Sequence, residues 1–218
     1  MEIFITETAP SPSGEEVVCK ITVREGRNVQ YVKGEIAADF FPPLGIPLRT
    51  TAQIFISEEK FEQIEYAMRK TDAVKTGLNL LSFAPNTKRS LVEKLAVRGV
   101  RRDIASDAVE FIASCGYINE YEMACSLIDD MANRRGYGRM RIKNELFSKG
   151  FAAETAAKAI DDCEIDYVEI CAERVRKMGG TAAFAERDAR MKNVSALMRY
   201  GFTTDEIKEA LTKVKKEE

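Results

Sequence analysis

One pattern recurs at a fixed interval and limits what this chain can fold into. The motif Leu-x-x-x-Gly occurs three times, and its glycines at positions 99, 150 and 201 recur every 51 residues. An aromatic or aliphatic residue follows each glycine, an acidic residue lies four positions after it, and an alanine lies nine positions after it. A fixed period of this kind is the signature of a repeat array. The sequence therefore predicts three tandem copies of one unit.

The glycine of each copy is expected to end a helix. Glycine adopts the left-handed conformation without steric penalty, and in a Schellman motif the next residue packs on the residue at C3, which here is the leucine. The acidic residue then lies in the first turn of the next helix, where it favours the helix dipole, and the alanine permits close packing. The contacts expected are Leu95 with Val100, Leu146 with Phe151, and Leu197 with Phe202. Phe151 and Phe202 are accordingly interpreted as core residues, not as base-stacking groups.

A further helix before each of these pairs completes a unit of three helices. In the first unit it is expected over about 73–83, and possible capping boxes precede later helices at Ser90 with Glu93 and at Asn119 with Glu122. The predicted fold class is mainly α: three tandem three-helix repeats forming an elongated curved array, with a small N-terminal β-hairpin segment. Units of this size bury little alone and are stabilised by stacking on their neighbours.

The N-terminal quarter has strand periodicity instead. Residues alternate between two faces from Val17 to Arg24, a turn is expected at 25–28, and 29–33 and 54–56 supply two more candidate strands. Ser57 followed by two glutamates marks a helix start. The predicted division is a β-rich segment at 1–56, a linking helix at 57–71, and repeats at 72–119, 120–168 and 169–218.

Composition excludes several classes of protein. The 33 basic and 35 acidic residues give a net charge of -2, which argues against a polycation that coats nucleic acid. Five scattered cysteines form no C-x-x-C pair, and the absence of histidine removes the usual zinc partner and catalytic base. We interpret the cysteines as reduced and buried, and expect no cofactor, no metal and no catalytic residue. No stretch is apolar enough for a membrane span, so a cytoplasmic protein is expected.

The basic residues are concentrated around two of the glycine turns, and guanidinium groups suit both carboxylates on a protein and phosphates on DNA. For any single arginine a solvated helix face is the ordinary explanation. For the whole cluster we favour a partner-binding surface formed by Arg98, Arg101, Arg102, Arg134, Arg135, Arg139, Arg141, Lys143 and Lys149.

An acidic segment at 154–173 allows a metal hypothesis, because Asp162 and Asp166 would share a helix face. No histidine or glycine-rich ligand loop is nearby, so a solvated face or an intramolecular partner for the basic residues is favoured. Gly136 to Arg139 lacks the preceding strand and the order of a phosphate-binding loop, and is interpreted as a turn between helices.

Several segments resemble the bacterial RecX family, regulators of the RecA recombinase, through their order and spacing across about 57–211. They are Arg89 to Leu95 with Arg98 to Val100, Gly116 to Glu120 with Ala124, Gly138 to Ile142 with Glu145 and Leu146, Lys149 to Phe151, and Tyr200 to Phe202 with Ile207. The resemblance implies three three-helix repeats that lodge in the groove of the RecA-DNA filament and bridge its protomers. It also implies inhibition of strand exchange, ATP hydrolysis and coprotease activity. Before the third repeat glycine, this sequence has Tyr200, whereas a basic residue is commoner at that position in the family.

These observations allow three competing hypotheses about function. The leading hypothesis is a monomeric regulator of the RecA filament that modulates DNA repair and the SOS response, with room for weak contact to single- or double-stranded DNA. The alternative is a helix-turn-helix DNA-binding protein, against which the acidic residues of the helices after the glycines argue. An enzyme is the weakest hypothesis, because no nucleophile and base can be paired.

Overall fold

The computed structural model describes residues 1–218. It contains a small antiparallel sheet followed by nine α-helices in three successive groups of three, which confirms the predicted mainly α fold class. The elements are β1 (Glu2–Pro10), β2 (Glu16–Glu25), β3 (Asn28–Ala37), β4 (Ile54–Ile56), α1 (Glu58–Phe83), α2 (Lys88–Val97), α3 (Arg102–Ser114), α4 (Glu120–Asp129), α5 (Arg139–Ser148), α6 (Ala153–Asp162), α7 (Tyr167–Lys177), α8 (Arg187–Arg199) and α9 (Thr204–Glu217). Two compact units result: unit 1 comprises Met1–Asn86 with Leu91–Tyr117, and unit 2 comprises Thr87–Ser90 with Ile118–Glu218.

Unit 1 begins with a four-stranded sheet in the order β3-β2-β1-β4. The predicted strands correspond to β2, β3 and β4, and Glu25 pairs with Asn28 at the predicted turn. The strand β1 was not predicted, although it lies between β2 and β4 and pairs with both. Its apolar alternation is short and is interrupted by a register shift after Ile5, which weakens the period-2 signal.

One face of the sheet packs on α1 to form the core of unit 1. The alternating residues of β2 are buried there together with Ile64 and Met68 of α1. Gly34 allows a close contact here, because a Cβ atom on it would lie 2.5 Å from Sδ of Met68 and the Met68 side chain would have to shift. Because apolar and polar residues alternate along β2, most of its apolar side chains lie on one face of the sheet, and this is the face that α1 covers.

The helix α1 is longer than predicted. Ser57 caps it, since its Oγ accepts a hydrogen bond of 3.2 Å from the amide of Lys60, and the helix then continues without interruption to Phe83. The boundary predicted between a linking helix ending at 71 and a repeat beginning at 72 falls inside it. No glycine or proline stands at that point, and Thr71, Ala73 and Val74 continue the buried stripe, so nothing ends the helix.

All three predicted glycine turns have the hydrogen bonds of a Schellman motif. Gly99, Gly150 and Gly201 have φ of 87°, 87° and 98°. In each turn the amide that follows the glycine donates to the carbonyl of the leucine, at 3.2, 3.2 and 3.3 Å. The alanines nine positions later are fully buried, and the predicted core residues Phe151 and Phe202 are buried as well. The prediction on which the repeat assignment depends is confirmed.

Some predicted helix starts were wrong. Thr87, not Ser90, caps α2, because its Oγ1 accepts the amide of Ser90 at 3.2 Å. Asn119 caps α4, at 3.2 Å from the amide of Glu122, but the return bond from the Glu122 side chain that would complete the predicted capping box is absent. Asp166 caps α7, so this helix begins ahead of the boundary predicted between 168 and 169. The predicted shared helix face of Asp162 and Asp166 does not exist, because α6 ends at Asp162.

Within unit 2, each glycine turn packs on the residues that begin the middle helix of the preceding repeat. The amide of Gly138 donates to the carbonyl of Tyr200 at 2.8 Å, and that of Met140 donates to the carbonyl of Gly201 at 3.0 Å. One repeat earlier, Oγ1 of Thr87 donates to the carbonyl of Lys149 at 3.0 Å. The bonds from Gly138 and Thr87 are both accepted by the carbonyl of the residue just before the repeat glycine, with a backbone amide as donor in one and the Thr87 hydroxyl in the other.

Candidate partner-binding surface

The predicted basic residues of unit 1 surround the turn at Gly99. The guanidinium of Arg98 donates to the carbonyl of Lys94 at 3.0 Å, and Nε of Arg101 donates to Asp103 at 3.2 Å. Arg102 opens α3, is exposed, and makes no ion pair. Arg98 and Arg101 also line a shallow depression of about 300 Å³ beside Arg69. Exposed cationic groups thus surround this turn.

Arg134 and Arg135 share one carboxylate. They lie at the end of a single π-helical turn, Asp130–Arg134, that follows α4. Their guanidinium groups lie 3.1 and 2.9 Å from the two carboxylate oxygens of Asp130. Both arginines remain exposed, so the pairing orients them without removing them from solvent.

Arg139 is held by residues of its own chain. It forms an ion pair of 3.1 Å with Asp161 and lies 5.0 Å above the ring of Tyr167. The Tyr167 hydroxyl is buried without a hydrogen-bond partner, and burial raises its pKa to about 12. Arg139 therefore covers a buried aromatic residue, in addition to any role at the surface.

Arg141 belongs to a stack of alternating cations and aromatic rings at the joint between the second and third repeats. It lies 3.9 Å from the ring centroid of Tyr137 and 5.9 Å from that of Tyr200. Arg174 lies on Tyr200 at 3.4 Å, and its Nε donates to the carbonyl of Gly136 at 2.7 Å. The aromatic ring of Tyr200 thus takes part in this joint through Arg141 and Arg174.

Lys143 and Lys149 are the least engaged of the predicted residues in unit 2. The ammonium of Lys143 lies 5.8 Å from the ring of Phe147, and the side chain of Lys149 makes no ion pair. Both side chains are exposed. Together with Arg134 and Arg135, they form a solvent-facing cationic surface on unit 2. The side chains of Arg139 and Arg141 are half-buried and contribute less to it.

Sequence reasoning missed a second basic surface, on α8. This helix exposes two methionines, Met191 and Met198, which are 57% and 52% accessible. Beside them are four exposed basic side chains that form no ion pair within the chain: Arg187, Arg190, Lys192 and Arg199. The repeat contained a signal for this face, because Met191 and Lys192 follow Met140 and Arg141 by 51 residues. The density of basic residues is higher at 134–149 than on α8, so a criterion of charge alone favours the earlier segment.

Comparison with known proteins identifies the family. The family model of the RecX second three-helix domain matches residues 119–160. The regulatory protein RecX of Stenotrophomonas maltophilia strain R551-3 is 30% identical over 142 residues, which are 65% of this chain and 86% of that protein. The chain belongs to the RecX family. The regulatory protein RecX of Halorhodospira halophila is 31% identical over 134 residues, which are 61% of this chain and 82% of that protein.

Two solved RecX structures share the fold. A crystal structure of regulatory protein RecX superposes with a TM-score of 0.69 at 17% identity, covering 95% of this chain and 99% of that one. The crystal structure of RecX from Lactobacillus salivarius gives a TM-score of 0.59 at 22% identity, covering 67% and 97%. The RecX relatives are named as regulatory proteins.

The acidic residues of this RecX chain serve largely as internal partners. Asp107 on α3 accepts a hydrogen bond from the hydroxyl of Tyr66 at 2.5 Å, and Asp162 on α6 accepts one from Tyr121 at 2.8 Å. The bond to Asp162 raises the pKa of Tyr121. No three Cys, Asp or Glu side chains converge as metal ligands would. These bonds tie the first and third helices of a repeat together.

All five cysteines are free, but only Cys19 and Cys171 are buried, so the prediction that all are buried was wrong. Cys115 is exposed because it lies at the end of α3, just ahead of a glycine turn. None of the helices has the length and apolar character needed to span a bilayer.

Proposed function

We propose that this protein binds in the groove of the RecA recombinase filament and inhibits its recombinase, ATPase and coprotease activities, thereby modulating DNA repair and the SOS response. Its relatives are named regulatory proteins, which supports a regulatory role. The observation that carries the proposal is the outward face of α8, where unpaired cations lie beside exposed methionines. A face of this composition suits a protein partner with acidic and apolar residues.

The arrangement on α8 fits that of a protein interface. Met191 and Met198 are seven residues apart and so lie on one stripe of the helix, and Lys192 and Arg199 form a second stripe beside it. Methionine side chains adapt to irregular surfaces, and flanking charges accelerate and orient docking. The apolar stripe would be desolvated in the complex, and the cations would pair with carboxylates at its rim.

Repetition explains how weak contacts add up. Met140 on α5 is 50% accessible and occupies the position equivalent to Met191. Arg134, Arg135, Lys143 and Lys149 supply cations around α5, as Arg98, Arg101 and Arg102 do around the first glycine turn. Several modest contacts on one chain raise the overall affinity steeply when the partner repeats too, as a filament does.

The alternative function, sequence-specific DNA binding by a helix-turn-helix motif, is disfavoured by the charge of the helices that would contact DNA. The helices after the glycine turns expose Asp103 and Glu110 on α3, and Glu154 and Asp161 on α6. DNA phosphates would repel these carboxylates at the position that a recognition helix occupies.

The proposal is tested by adding the purified protein to RecA on single-stranded DNA and measuring ATP hydrolysis, strand exchange and repressor cleavage. Inhibition of all three at micromolar concentration is expected. A matched amount of heat-denatured protein serves as the control for nonspecific effects. If none of the three activities changes over that range, the proposal is wrong.

A further inference from the structure

The sheet of unit 1 has a second face that α1 does not cover. A row of side chains crosses all four strands on this face, because Phe55 pairs with Phe4, Phe4 with Thr22, and Thr22 with Tyr31. Three of these four residues are aromatic. Neighbouring strands lie about 4.8 Å apart, so the row places aromatic rings at both ends and near the middle of the sheet.

Two of these three aromatic residues are exposed in a way that packing does not explain. Tyr31 is 80% accessible and Phe55 is 64% accessible. The rings of Phe4 and Phe55 lie 5.7 Å apart with their planes at 68°, and the guanidinium of Arg24 lies 5.7 Å from the Phe4 ring. Solvent-exposed aromatic rings grouped with cations on one surface usually indicate binding.

A depression of about 490 Å³ lies beside the row. Its basic lining residues are Lys20, Arg24 and Lys33, and no acidic residue lines it. This volume lies within the range of ligand sites, about 300 to 1,000 Å³. The charges of the depression therefore favour an anionic ligand.

The acidic residues on this face are mostly neutralised or peripheral. Glu7 pairs with Lys20 at 2.5 Å, and Glu16 and Glu35 pair with Lys75 at 2.7 and 2.6 Å. Glu2 lies opposite Arg24 at the end of the sheet. Arg24 and Lys33, on either side of Tyr31, form no ion pair within the chain.

We propose that this open sheet face, defined by Phe4, Tyr31, Phe55, Arg24 and Lys33, is a binding site for single-stranded nucleic acid. Unstacked bases pack on exposed aromatic rings, and their phosphates are neutralised by neighbouring lysine and arginine side chains. A duplex keeps its bases stacked and offers no ring faces to a sheet. The site is therefore tolerant of sequence and selective for single strands.

The test measures the fluorescence anisotropy of labelled oligo(dT), oligo(U) and a duplex of equal length with the full chain. The parent protein binds the single strands more tightly than the duplex, and comparison of oligo(dT) with oligo(U) separates DNA from RNA. Tyr31→Ala and Phe55→Ala each weaken binding by about fivefold or more, as expected for the loss of one stacked base. The control Phe83→Ala removes an aromatic side chain that is 81% accessible on α1 and leaves binding unchanged.

Electrostatics give a second readout. Lys33→Ala reduces the slope of log affinity against log salt concentration by about 0.7, the value for one phosphate contact on a single strand. Crosslinking with an oligonucleotide that carries photoreactive thymines labels β1, β3 or β4. Circular dichroism shows each variant folded, because the substituted side chains are mostly exposed.

Three results would overturn the proposal: no binding of single strands by the parent protein, tighter binding of the duplex, or unchanged binding by the Tyr31→Ala/Phe55→Ala double variant. Capture of an extended peptide in place of an oligonucleotide would count against it equally. Recombinase is absent from these measurements. Their failure would leave the proposed regulatory function standing, and success would not depend on it.

Discussion

At the scale of single residues, the three repeat glycines occupy equivalent turns in unlike surroundings. A Cβ atom on Gly99 would meet nothing within 4 Å. On Gly201 it would lie 2.4 Å from the amide nitrogen of Arg141 and 2.8 Å from the carbonyl oxygen of Gly138. Both glycines have positive φ, so an alanine would be strained at either site. Only at Gly201 does the glycine also allow close approach of a second backbone.

We expect Gly99→Ala to lower the free energy of unfolding by about 1 to 2 kcal/mol, because a residue with a side chain is strained in the left-handed conformation. Gly201→Ala should lower the free energy of unfolding clearly more, because the backbone atoms that meet at this joint must move apart. Hydrogen exchange of α2 and α3 in the first variant, and of α8 and α9 in the second, measures the two losses. Equal losses at the two sites would show that the joint at Gly201 is not closely packed.

The contact residues were only partly predictable. The sequence identified Arg139 and Arg141 as cationic, and it could not reveal their partners, since Asp161 and Tyr200 are 22 and 59 residues away in the chain. Local patterns indicate helix faces and turns, whereas these contacts depend on how the helices of one repeat pack together and how the second and third repeats stack. The same limit applies to the open sheet face, because the strand β1 was needed to bring Phe4 between Phe55 and Thr22.

At the scale of elements, α7 and α9 are joined by a network of charges. Arg176 binds Glu169 at 2.8 Å and Glu217 at 2.8 Å, and Lys213 also pairs with Glu169. Hydrogen bonds from Lys213 and Arg176 lower the pKa of Glu169. Networks of this kind contribute more than isolated surface pairs.

The network predicts a pH dependence. Because the folded-state pKa of Glu169 lies below its ordinary value of 4.5, its contribution is complete above that pH and is lost as the pH falls through the lowered pKa. Thermal unfolding should therefore separate the parent from Glu169→Gln at neutral pH, and the difference should shrink below about pH 4.5. The control Glu173→Gln removes an exposed pair with Lys177 and should have little effect at any pH. A difference that grows in acid would contradict this assignment.

Element boundaries followed from sequence wherever a local signal existed. Glycine ends α2, α5 and α8 as predicted, because only a left-handed residue permits the observed hydrogen bonds. The continuity of α1 through residue 72 was missed, since a repeat boundary was assumed where no residue breaks the helix. The strand β1 was missed because a bulge shortens its alternating pattern.

At the scale of the whole molecule, the net charge is -2, but the charged side chains are distributed unevenly over the surface. Acidic side chains on α3, α6 and α7 are bonded to tyrosines, arginines and lysines of the same unit. The α8 face and the open sheet face, in contrast, present cations beside apolar groups to solvent. We infer that internal pairing of the acids leaves these two faces available for partners.

Filament binding is expected to depend most on the α8 face, and cosedimentation of the protein with preformed RecA filaments measures this directly. Lys192→Glu/Arg199→Glu should weaken binding by about tenfold or more, a loss of at least about 1.4 kcal/mol. The matched control Lys215→Glu/Lys216→Glu changes the charge equally in the last turn of α9, and should bind as the parent does. Equal binding by all three proteins would contradict the account.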